Sequence, residues 1–76
     1  MKTVDLREVG LAERNTIVAK RFERLAPGES VEIVVDGPPW VFYHQLQTDH
    51  LDEFDWLDVE SGPQRFVVRV TRRVAG

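Results

Sequence analysis

The residues of this chain with the greatest chemical reach sit in two short stretches, Glu13-Arg14-Asn15 and Asp36-Gly37, with Trp40 just beyond the second. Together they offer a guanidinium, two carboxylates, an amide, a permissive glycine and an indole face. A guanidinium beside free backbone N–H groups suits a small polar or anionic ligand, and an indole suits a stacked ring. The competing account is structural: Glu13 and Asp36 cap helices, Arg14 pairs with one of them, and Trp40 covers the edge of the core. Most other chemistries lack their residues. With no cysteine there is no thiolate nucleophile, disulfide or thiolate metal site. Ser30 and Ser61 lie beside turns without a nucleophile signature, and no glycine loop is built to cradle phosphate. His44 and His50 are the two histidines, and their spacing does not bring them onto one helical face. We therefore expect no metal, no cofactor and no catalytic residue.

Bulk composition narrows the partners. Thirteen acidic and ten basic residues among 76 leave a net charge of −3, which works against attraction to nucleic acid or an anionic membrane. No apolar run approaches the roughly 18 residues that would mark a bilayer span, and the first residues carry no apolar signal segment, so the expected location is cytoplasmic. Charge is uneven along the chain. Asp49, Asp52, Glu53, Asp55, Asp58 and Glu60 form an acidic stretch, while Arg65, Arg69, Arg72 and Arg73 crowd the end, a pattern suited to cross-strand pairing. The acidic stretch lacks the spacing of a calcium loop.

The elements that must position these residues follow from periodicity. Val4 and Leu6 alternate with Thr3, Asp5 and Arg7 as in a short strand, and Gly10 breaks the pattern. Ile17, Val18, Phe22 and Leu25 recur at helical spacing from about Ala12, and Ala26-Pro27-Gly28-Glu29 ends that helix. Val31 to Val35 is almost continuously apolar, as in a central strand, and Asp36-Gly37-Pro38-Pro39 ends it. Pro39 then suits the first turn of a second helix reaching about Thr48, with Phe42, Tyr43 and Leu46 inward. Phe54 to Glu60 and Arg65 to Thr71, joined across Ser61-Gly62-Pro63-Gln64, read as an antiparallel hairpin. Trp56 and Phe54 share a strand face with Phe66 near across the hairpin, which suits core packing. The order β-α-β-α-β-β predicts one α/β two-layer sandwich spanning residues 1–76: a mixed four-stranded sheet with both helices on one face.

These residues carry a resemblance. Val4-Asp5-Leu6-Arg7, Glu13-Arg14, Leu25-Ala26-Pro27-Gly28-Glu29, Val35-Asp36, Tyr43-His44-Gln45-Leu46, Phe54-Asp55-Trp56, Gly62-Pro63 and Val68-Arg69-Val70-Thr71-Arg72 occur in an order and spacing similar to bacterial domains of unknown function 2249. The resemblance covers residues 3 to 73 and implies the fold of the small TusA or SirA-like sulfur carriers. It also implies a redox or metabolic setting, since such domains accompany hemerythrin-like iron domains and redox genes. Two departures stand out. Where the family commonly has histidines, this chain has Asn15 and the run Val35-Asp36-Gly37-Pro38-Pro39; where the sulfur carriers have Cys-Pro, it has Ala12, Glu13 and Arg14. Persulfide transfer is outside the reach of those side chains.

In parallel β-α-β units both helix N-termini point to the carboxyl end of the strands, so Glu13, Arg14, Asn15, Asp36, Gly37 and Trp40 are expected to meet there. The function expected is a noncatalytic module that binds a protein partner or a small-molecule ligand at that end. The alternative is an enzyme or accessory component acting on a small anionic substrate. On the open sheet face, Val34 and Val67 among Arg65 and Arg69 mark a candidate interface, for a monomer or weak homodimer.

Overall fold

Six elements form in the expected order: β1 (Lys2–Asp5), α1 (Leu11–Glu23), β2 (Ser30–Val35), α2 (Trp40–Asp49), β3 (Phe54–Ser61) and β4 (Phe66–Arg72). The computed structural model describes residues 2–74. Its sheet has the spatial order β1-β2-β4-β3, with β1 parallel to β2 and β4 antiparallel to both of its neighbours. The apolar run of β2 thus lies between two paired strands, where its backbone donors and acceptors are satisfied on both sides.

The strands alternate as their sequences predict. Val4, Val31, Ile33, Val35, Val68 and Val70 turn to one face and meet Val18 and Phe22 of α1 and Phe42 and Leu46 of α2 in a single core. Both helices therefore cover the same face of the sheet. Leu6 and Val70 are fully buried, and each such aliphatic side chain contributes about 1.5–3 kcal/mol. Phe54 joins this core, while Trp56, Tyr43 and Phe66 pack against it partly buried. Tyr43 stands edge-on to both Phe54 and Trp56 at centroid distances of 5.8 and 5.2 Å, a favoured arrangement for aromatic quadrupoles.

Turn chemistry matches the connections. Gly28 and Gly62 both adopt positive φ, at 88° and 60°, and a Cβ on Gly62 would run into the Phe66 ring. The Gly62-Pro63 peptide bond is cis. Arg72 binds the end of α1, donating to the Leu25 and Glu23 carbonyls at 3.2 and 3.3 Å. Its guanidinium lies 5.5 Å from the centre of the Phe22 ring, and His50 approaches that ring at 4.8 Å. His50 is thus held by packing and by a 2.9 Å contact with Glu53. Among the described residues no group of three or more histidine or acidic side chains is placed to hold a metal ion.

The open sheet face corrects one expectation. Val34 and Val67 are not exposed contact residues: each is only 4% accessible. The cause is register. They stand directly opposite each other, with Asp5 next across from Val34 and Glu60 next across from Val67. The adjoining row pairs Glu32 with Arg69, whose side chains meet at 2.9 Å. Asp5 is bound by Arg7 and Glu60 by Arg65, so ion-paired side chains bound the valines on three sides. The hydrocarbon stems of long charged residues shield such a pair well. What this face presents is mainly charge, including the half-exposed Arg65 and the partly exposed Arg69, with the exposed Leu57 next across from Arg69.

Candidate functional site

Arg14 is the organising residue of the strand-end region. The buried stripe of α1 runs Arg14, Val18, Phe22, so its helical spacing turns the guanidinium inward toward the β1–α1 loop. There Nε donates to the Val9 carbonyl at 2.9 Å, Nη2 to the Arg7 carbonyl at 3.3 Å, and Nη1 to Asp36 Oδ1 at 2.9 Å. All three nitrogens are engaged, and the side chain is 11% accessible against 52% for Asp36. The Arg14 guanidinium beside Asp36 holds that carboxyl below the usual carboxylate range, against a smaller opposing effect of desolvation. Arg14 therefore joins three pieces of chain: the loop after β1, the first turn of α1 and the end of β2.

Neighbouring charge is also paired. Arg7 clasps Asp5 through Nε and Nη2, the shortest contact being 2.6 Å. With the Arg7 backbone N–H as a further donor, these bonds hold the Asp5 carboxyl down at about 2.

Beside this clamp lies a cavity of about 290 Å³ between the N-terminal turns of the two helices. Arg14, Asn15, Asp36 and Gly37 line it together with Leu11, Val35, Pro38, Val41 and Phe42. Four of the six residues expected at this end thus meet around one hollow. Glu13 and Trp40 are not in its wall. Both lie next to residues that are, and Trp40 stands 63% exposed rather than covering the edge of the core.

The capping account also changes. Neither helix has a side-chain hydrogen bond at its N-cap: Gly10 precedes α1 and Pro39 precedes α2. Glu13 N–H and Phe42 N–H instead donate to the Gly10 and Pro39 carbonyls at 3.0 and 3.1 Å. The first N–H groups of both helices therefore face the site end without a side-chain cap, as donors for an incoming acceptor.

Sequence reasoning missed the apolar lining. Leu11 and Val41 are 80% and 51% exposed, and both sit in the first turn of their helix at its open end. The signal was present for Leu11, which falls on the same stripe as Arg14, Val18 and Phe22 at spacings of three and four.

The family model described as "Uncharacterized conserved protein (DUF2249)" matches residues 3–72. No curated protein matches the chain. Among solved structures, the chain is similar to the solution structure of HP1264 from Helicobacter pylori, with a TM-score of 0.75 at 12% identity over 97% of this chain and 100% of that one. At that identity the likeness shows the shared fold.

Proposed function

We propose that this chain, which belongs to the DUF2249 family of uncharacterized conserved proteins, is a noncatalytic module that docks a partner protein at the helix N-terminal end. The observation that carries this reading is the 290 Å³ hollow with exposed Leu11 and Val41 among its lining residues and exposed Trp40 beside it. A hollow of that size takes one large side chain, and exposed apolar residues gathered around a pocket are the usual anchor of a protein contact. The uncapped helix N–H groups add donors for the partner's backbone carbonyls.

A free anion fits this site less well than a protein segment. The Arg14 guanidinium is already committed to Asp36 and two carbonyls, and releasing it would open the loop it holds. A cysteine-based sulfur relay is excluded, because the chain has no cysteine. The supporting reading is of a scaffold whose strand-end site serves recognition rather than bond making.

The test is site-specific photocrosslinking in the cells that produce the protein. A photoreactive phenylalanine analogue at position 41 is expected to capture a discrete partner, while the same group at the exposed position 59 on β3 is expected to capture none. Equal capture at both positions, or none at position 41, refutes the reading.

A further inference from the structure

The apolar hollow does not stand alone. A second, open concavity of about 640 Å³ is lined by Asp5, Arg7, Glu8 and Asp36, so that Asp36 belongs to both. The first mixes apolar Leu11, Val35, Pro38, Val41 and Phe42 with polar groups, and three of the four residues lining the second are carboxylates. From this juxtaposition we infer that the docked partner segment carries an apolar anchor flanked by lysine or arginine, the apolar side chain entering the first hollow and the cation the second. The inference rests on the docking role proposed above and adds the chemistry of the partner.

Charge accounting supports it. Arg7 is taken up by Asp5 and Arg14 by Asp36, and Arg65, which precedes Phe66 at this end of the sheet, faces Glu60 at 3.5 Å, so the cations at this end are paired within the protein. Glu8 and Glu13, in contrast, join none of the ion pairs among the described residues. The rim that remains is acidic. Asp36 gives one oxygen to Arg14 and keeps its other oxygen as an acceptor at the junction of the two concavities, where an ammonium or guanidinium can bridge them. Docking a second copy of the chain by the same end would instead bring like rims together, which like-charge repulsion opposes.

The probes are two acetylated tripeptide amides, Lys-Trp-Lys and Glu-Trp-Glu, titrated into the isotope-labelled full chain while amide shifts are followed. The lysine peptide is expected to move the amides of Glu8, Leu11, Gly37 and Val41 and to bind about fivefold more tightly than the glutamate peptide at low ionic strength. That ratio should collapse at about 0.5 M salt and narrow in Glu8→Gln, whose exposed side chain leaves the fold intact. Equal affinity of the two peptides at these amides overturns the charge inference and leaves the docking reading standing. Tighter binding of the glutamate peptide also overturns it. Failure of both peptides to move these amides removes the docking reading as well. Shifts at the same amides on raising protein concentration alone would identify a second copy as the occupant and overturn the inference.

Discussion

Replacing Arg14 with methionine keeps most of the buried stem and deletes the guanidinium. Two backbone acceptors, the Val9 and Arg7 carbonyls, then lose donors at 2.9 and 3.3 Å. Each lost bond is worth about 1 kcal/mol when water can partly replace the donor. Their sum predicts a loss of about 2 kcal/mol in unfolding free energy, before any contribution from Asp36. In a domain of this size that corresponds to a fall of about 10 °C in Tm, or about 2 M in the urea midpoint with an unchanged slope. Tryptophan fluorescence in a urea series measures it. Because Arg14 spans the loop after β1, amide exchange at Val9 should accelerate more than exchange at the core residue Val70. Arg14→Lys provides the geometric control. An ammonium carries the charge without the planar fork and cannot reach all three acceptors at once, so it should recover only part of the loss. A loss below about 0.5 kcal/mol in Arg14→Met would refute the clamp, as would full rescue by lysine.

Two further outcomes follow from the charged surface. The Asp5 carboxyl, lowered from 3.8 to about 2 by its bonds with Arg7, is more acidic folded than unfolded. Its stabilising contribution is therefore complete above the unfolded value and disappears as pH falls from about 4 through about 2. Following the carboxyl carbon by NMR should give a midpoint near 2 that moves up toward the ordinary value in Arg7→Gln, and a wild-type midpoint of 3.8 would contradict the assignment. Val67→Glu places a carboxylate where the valine is 4% accessible, directly across from Val34 and next to Glu60. It should cost more than about 2 kcal/mol in urea unfolding; a neutral effect would show that the open face is as exposed as its alternating sequence suggests.

The layer order was legible because period-two and helical patterns are local. Val31, Ile33 and Val35 alternate on one strand, and Val18 and Phe22 repeat along one helix stripe, without reference to anything distant. The same locality explains what was not legible. Nothing near Val34 or Val67 in sequence says that they will face each other inside ion pairs drawn from β1, β3 and β4; that follows from register. Likewise, Glu13 and Asp36 are plausible caps by position alone. That Arg14 pairs with one of these acids was expected, but only the fold shows that the partner is Asp36, 22 residues away, and that Gly10 and Pro39 occupy the cap positions with no side-chain acceptor.

The strand-end residues acquire their meaning from that competition for Arg14. Had its guanidinium faced solvent, the uncapped helix N–H groups beside it would have made an anion site from charge and dipole together. Engagement with Asp36 and two carbonyls changes the sum: the strongest donor is internal, and the surface that remains combines apolar Leu11, Val41 and Trp40 with Glu8 and Glu13, which join no ion pair among the described residues. In the proposed docking role, such a surface discriminates by shape in the hollow and by sign at the rim. In that role an anionic metabolite would meet, among the described residues, cations already paired with carboxylates, whereas an apolar side chain next to a basic one would meet both complementary parts at Asp36. The guanidinium that marks the site in the sequence thus holds its walls in place, and in the proposed docking role recognition falls to the residues around it.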